Sequence, residues 1–140
     1  MCNCPQSPWV QRARELHDTN AHDDAWYAVD YLIRNNCGIN NTALLDDVVN
    51  YVNEQMNTDL TREQFQQSVL RNLKRRGILV TLVNPGNRGG VFIPCDITEV
   101  ETAVAQVMNR IKSELENIES SAEGTRFENQ IDRLLETLGN

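Results

Sequence analysis

Apolar residues recur at helical spacing through most of this chain and give way to near-continuous runs in one place. Trp9, Val10, Ala13 and Leu16 follow Ser7-Pro8, a hydroxyl N-cap ahead of a proline at the first helical position, and predict a short helix over residues 8–18. After a polar break, Ala25, Trp26, Ala28, Val29, Leu32 and Ile33 describe a second helix ending before Asn35-Asn36-Cys37-Gly38, with Gly38 as the stop. Asn40, Asn41 and Thr42 offer caps for a third helix, in which Leu45, Val48, Val49, Val52 and Met56 share a side, and Asn57-Thr58-Asp59 reads as a turn. Residues 61–76 form the best-defined unit. Thr61 with Gln64 is a capping box, Phe65, Val69, Leu70 and Leu73 make the packing face, and Arg62, Gln66, Gln67, Arg71, Lys74 and Arg75 occupy the rest. Gly77 supplies a left-handed stop, residues 78–83 and 91–93 have strand composition, and residues 84–90, with Pro85, Gly86, Gly89 and Gly90, link them as a flexible loop with Arg88 at its tip.

The remaining residues return to helical spacing. Asp96 with Glu99 caps a helix of about 25 residues, striped by Ile97, Val100, Val104, Val107, Ile111 and Ile118 and widened by Ala103, Met108 and Leu115. Residues 120–124 interrupt it, and Thr125 with Glu128 opens another helix bearing Phe127, Ile131, Leu134, Leu135 and Leu138. The stripe exceeds what so small a core would cover, so the tail is expected to meet a partner helix. It could instead fold back on itself or pack on the Trp9 helix. The expected organisation is an N-terminal helix and linker over 1–24, a mixed domain over 25–95, and a coiled-coil-like helical arm over 96–140.

Charge changes the picture once it is divided along the chain. The net charge is −7, but residues 25–95 hold seven Lys/Arg against six Asp/Glu, while residues 96–140 hold four against ten. Of those seven cations, Arg62, Arg71, Lys74, Arg75 and Arg76 lie within the capped helix, opposed there by Glu63. A locally basic helix on an acidic chain suits contact with a phosphate backbone, weakened by salt and by the tail.

The run Leu70-Arg-Asn-Leu-Lys-Arg-Arg-Gly-Ile-Leu79 and the loop 84–90 resemble the winged-helix family, a helix-turn-helix variant. The likeness covers residues 25–95, about half the chain, and rests on residue types in order. It implies a mostly α (α+β) fold with a two-stranded hairpin as the wing; the short 37–42 connection leaves open the small first strand that family members often carry. It implies DNA binding, with the third helix in the major groove through Arg62, Gln66, Gln67, Arg71 and Arg75, with Lys74 or Arg75 on phosphate, and with Arg88 at the wing contact. Arginine can be bidentate to guanine and glutamine to adenine. Such proteins commonly read two half-sites through two-fold symmetry, which points to a homodimer formed through Val100, Val104, Val107, Ile111, Leu115, Ile118, Ile131, Leu134 and Leu138.

Other classes find less support. No apolar stretch approaches the roughly 20 residues of a membrane span, and the first residues lack a signal-peptide pattern, so a cytoplasmic protein with reduced cysteines and no membrane partner is expected. Cys2-Asn-Cys4 is the one metal-like spacing; a zinc site would need Cys37, Cys95, His17 and His22 to converge from distant places. Cys37 and Cys95 read more simply as small buried apolar residues, and His17 and His22 as surface side chains, so no metal or cofactor is assigned. The 84–90 loop lacks P-loop spacing, and no nucleophile–base arrangement is identifiable, so no enzyme is expected. The expected function is a dimeric, sequence-specific DNA-binding regulator of a microbe or mobile element. The competing reading is a winged-helix interaction module docking on a polymerase or replication factor through the acidic tail.

Overall fold

The computed structural model describes residues 2–83 and 89–139. The segment 84–88, with Arg88 and most of the expected wing, lies outside them. Contacts divide the chain into two units, Met1–Val100 and Glu101–Asn140.

In the first unit, α1 (Pro8–Asp18) starts where the Ser7 hydroxyl accepts from the Val10 amide, with Pro8 in the first turn. The Ser7 hydroxyl also donates to the Pro94 carbonyl at 2.6 Å, which ties this cap to the far end of the domain. Helix α2 (Asp24–Asn35) is capped by the Asp23 carboxylate and is almost wholly buried on one side. It ends at Asn36, ahead of the expected Gly38 stop, and Gly38 instead leads into a short 3-10 turn. Strand β1 (Ala43–Leu44) follows and runs straight into α3 (Leu45–Met56), whose N-cap is Leu44 with no side-chain bond. The Asn40–Thr42 cluster therefore does not cap α3. Asp46 and Asp47 occupy its first turn, where the helix dipole favours carboxylates.

Helix α4 carries its capping box as read, with Thr61 accepting from the Gln64 amide and Gln64 returning to the Thr61 amide. It is not uniform: α-helix over Arg62–Phe65, π-helix over Gln66–Leu70 and α-helix again over Arg71–Arg75. The Ser68 hydroxyl donates to the Gln64 carbonyl within this stretch, a bond that competes with regular helix geometry. The widened turn leaves the packing face intact, since Phe65, Val69, Leu70 and Leu73 are all buried.

Strands β2 (Val80–Val83) and β3 (Gly89–Phe92) pair antiparallel, Val80 opposite Phe92 and Val83 opposite Gly89. The expected two-stranded hairpin is a three-stranded sheet ordered β1-β3-β2, because Ala43 and Leu44 pair with Val91 and Gly90. Gly89 and Gly90 thus belong to a strand rather than to the loop, and a Cβ on Gly90 would lie 2.7 Å from the Thr42 Cβ. Ile78 and Leu79 precede the strand as buried core residues. The fold class is mostly helical α+β.

Polar bonds lock these helices together. Asp30 on α2 is 5% exposed and accepts from His17 Nε2 on α1 at 2.8 Å, from Arg34 Nη2 at 2.9 Å and from the Tyr51 hydroxyl on α3. Burial alone would raise the Asp30 pKa, but the bonds from Tyr51, His17 and Arg34 outweigh it and hold the carboxyl below its ordinary range. Burial and the bond to Asp30 push Tyr51 upward. His17 is therefore a half-buried partner of Asp30 stacked on Trp26 rather than the surface side chain expected, whereas His22 is exposed as expected and stacks on the same indole.

Helix α5 (Ile97–Ile118) begins with the Asp96 carboxylate accepting from the Glu99 amide. Glu99 does not complete a box; its carboxylate accepts from the Cys95 and Ile39 amides instead. In the second unit, a 3-10 turn over Ser120–Ala122 separates α5 from α6 (Glu128–Gly139). There Thr125 Oγ1 accepts from the Phe127 amide while Glu128 reaches the Gly124 amide. No helix among the described residues is long and apolar enough to cross a membrane.

Candidate nucleic-acid interface

The outer face of α4 follows from its inner one. Burying Phe65, Val69, Leu70 and Leu73 against the core turns the remaining positions to solvent. Among these, Gln67, Ser68, Arg71, Asn72, Arg75 and Arg76 line one shallow concavity of about 490 Å³. No carboxylate lines it, and among the described residues none forms an ion pair with Arg71, Arg75 or Arg76. The surface offers three guanidinium groups, two amides and a hydroxyl within about three turns, a donor-rich set suited to phosphate oxygens and purine edges.

Both ends of α4 are anchored. At its start, the Asn53 amide donates to the Leu60 carbonyl and the Asn53 oxygen accepts from the Leu60 amide. At its end, Gly77 takes φ +69°, and the Arg12 guanidinium of α1 donates to the Gly77 carbonyl at 3.0 Å. A Cβ at Gly77 would meet Arg12 Nη1 at 2.8 Å, the far end of an exposed side chain that can move aside at the expense of its bond to Gly77, so it is the positive φ of the turn that requires glycine.

The expected site residues separate into groups. Gln67, Arg71 and Arg75 converge in the concavity. Gln66 and Lys74 are exposed on the same helix but do not line it. Arg62 lies 3.9 Å from Asp46 of α3, an exposed pair on the helix's first turn, and Arg88 falls outside the described residues. Ser68, Asn72 and Arg76 also line the surface and were not singled out from the sequence. Their four-residue spacing along the helix, 68, 72 and 76, is the signal the sequence offers for them.

The residues expected to pair two chains form two sets. Val104, Val107, Ile111, Ile118 and Leu134 are exposed, as are Met108 and Phe127, while Ile131 is buried and Val100, Leu115 and Leu138 are half-buried. In the second unit, Ile118, Phe127, Ile131 and Leu134 border a largely apolar hollow of about 690 Å³.

The cysteines are not in the reduced state expected, although Cys37 is buried as expected and Cys95 half-buried. Cys2 is bonded to Cys37 and Cys4 to Cys95, joining the segment before α1 to the turn after α2 and to the segment before α5.

No family model and no solved structure matches the chain. It is similar to the protein named "Putative control protein C.MjaVP" of Methanocaldococcus jannaschii, 44% identical over 135 residues that span 89% of this chain and 82% of the relative. Identity at that level over nearly the full length of both sequences establishes common descent and a shared fold, and the chain belongs to the family of this control protein.

Proposed function

We infer that the chain is a transcriptional regulator that binds double-stranded DNA as a homodimer, with a winged-helix head in the first unit and the acidic helical tail as pairing arm. The concavity on the outer face of α4, which no carboxylate lines, carries the reading: Arg71, Arg75, Arg76, Gln67 and Asn72 stand together there on a helix anchored at both ends. Support comes also from the element order helix, helix, strand, helix, helix, hairpin, and from a relative whose name calls it a control protein. In this role α4 enters the major groove. The arginines make bidentate contacts to guanine or hold phosphate, the amides of Gln67 and Asn72 suit adenine, and Arg88, outside the described residues, is assigned to the neighbouring backbone. Gln66 and Lys74 flank the contact, and Arg62 approaches the backbone at the helix start. Two heads paired through residues 100–138 read half-sites about 34–36 Å apart. Such a regulator works in the cytoplasm.

Fluorescence anisotropy on random duplex DNA tests this reading. Binding is expected near 50 mM salt, falling steeply as salt rises, and Arg71→Ala with Arg75→Ala is expected to lower the logarithmic salt slope by about 2. Selection from a randomised duplex pool should then return a two-fold symmetric site. Absence of binding at low salt, with no effect of the double variant, would overturn the DNA reading in favour of a module docking on a polymerase or replication factor.

A further inference from the structure

Cys2, Cys4, Cys37 and Cys95 line a single hollow of about 400 Å³ together with Gly38, Asn40, Asn41, Arg34 and Glu99. The two sulfur pairs are neighbours. Cys2 and Cys4 are separated by Asn3, and a Cβ on Gly38, the residue after Cys37, would lie 3.6 Å from the Cys95 sulfur. We propose that, in the thiol state, these four cysteines form a tetrathiolate metal site, for which Zn2+ is the fitting ion.

The cysteines are positioned by bonds that do not involve their sulfurs. The Cys2 amide donates to the Ile33 carbonyl at 2.8 Å, and Arg14 donates to the Cys2 carbonyl. The Cys4 carbonyl accepts from the Ser7 amide at 3.0 Å, and the Ser7 hydroxyl reaches Pro94, next to Cys95. Cys37 bridges Ile93, the Gly38 amide donates to the Ile93 carbonyl, and Asn41 donates to the Cys37 carbonyl. The Cys95 amide is held by Glu99 at 2.7 Å. With both disulfides closed, no group of three or more Cys, His, Asp or Glu side chains among the described residues is placed to hold an ion; with both opened, the same backbone bonds would keep the four side chains on the one hollow they line. Within-pair Cα separations of 5.5 and 5.4 Å are small enough for two thiolates to share one ion.

The chemistry balances with a thiol reductant as partner. Two disulfides take four electrons and four protons to give four thiols, and the reductant becomes its own disulfide. The metal then displaces the four thiol protons to solvent, leaving a site of net charge −2. The Arg34 guanidinium and the side-chain amides of Asn3, Asn35 and Asn40, which border the hollow, can offset that charge. Glu99 is already engaged by two backbone amides, so sulfur alone fills the coordination sphere. A closed site with four protein ligands is structural in type. It would join the start of α1, the end of α2 and the start of α5, and it stands independently of the DNA reading.

The full chain, reduced and kept free of oxygen, is titrated with Co2+. The expected result is near-ultraviolet thiolate charge-transfer absorption with visible bands of tetrahedral cobalt, saturating at about one ion per chain and bleached by Zn2+. Cys2→Ser and Cys95→Ser, one from each pair, should each weaken Co2+ binding by more than the roughly 10–100-fold that loss of a merely supporting group costs. No thiolate absorption from the reduced wild-type chain overturns the proposal. So does undiminished binding in either variant, since that would restrict any metal to one pair. Should the variants fail to fold, the wild-type titration still decides.

Discussion

Replacing Asp30 tests whether the first unit is held by a buried carboxylate network as well as by its apolar core. Asp30→Ala leaves the Tyr51 hydroxyl, His17 Nε2 and Arg34 Nη2 without their common acceptor. Breaking a fully buried charged network costs about 3–5 kcal/mol. Here the Arg34 side chain is 59% exposed and His17 23%, so water can replace part of what is lost, and about 2–3 kcal/mol is the expected cost. Asp30→Asn retains an acceptor for Tyr51 and should cost less, but it removes the titration. Because the folded carboxyl lies below its ordinary value of 3.8, the unfolded chain takes up the proton first as the medium is acidified. The contribution of Asp30 is thus complete above about pH 5 and is lost progressively as pH falls through the unfolded and then the folded pKa. Urea unfolding followed by circular dichroism, with Trp26 fluorescence as a local reporter of the His17 stack, measures both effects. A loss below about 0.5 kcal/mol in Asp30→Ala, within the range of an ordinary surface substitution, or an unchanged acid limb in Asp30→Asn, would refute the argument.

Other substitutions probe the frame around α4. Gly77→Ala places a side chain at φ +69°, and a loss above about 1 kcal/mol is expected by thermal unfolding, most of it persisting in an Arg12→Ala background because the backbone and not the mobile arginine tip sets the cost. Phe65→Ala empties a fully buried position and should cost about 3–5 kcal/mol in denaturant titration, while leaving the exposed Arg71 and Arg75 unchanged in chemistry. Val107→Glu with Ile111→Glu places charge on the exposed tail stripe. Sedimentation analysis is expected to show a monomer that keeps the circular dichroism of a folded chain, whereas an unchanged mass would remove these residues from the pairing surface.

The parts of the fold legible in the sequence were those specified within one or two helical turns. Ser7-Pro8, Asp23, Thr61 with Gln64, and Gly77 each satisfy or end a helix through neighbours a few residues away, so residue types alone locate them. The packing face of α4 was legible for the same reason. What escaped depends on distant partners. Ala43 and Leu44 become a strand only because Val91 and Gly90 lie beside them, and Gly90 is in β3 through its pairing with Leu44 and Leu82, at a place where Thr42 leaves no room for a side chain. The cysteine pairs span 35 and 91 residues of sequence, and Glu99 abandons its capping box for amides at Cys95 and Ile39. The π turn over Gln66–Leu70 is local, yet helical periodicity cannot separate it from regular helix, because the buried positions are the same in either form.

The anchoring of α4 makes stability and recognition separable in this chain. Its inner face is apolar and buried, its two ends are fixed by Asn53 and by Arg12, and the outer guanidinium groups take no part in any of these bonds. Exchanging residues on the outer face removes neither packing nor a cap, so such changes would alter what is bound without unfolding the helix that presents them. The inner residues behave oppositely, since a cavity under the helix destabilises the unit that positions every outer side chain at once. In the role proposed for α4, the target could change without loss of the fold, because the residues that would contact it are not those that keep α4 in place.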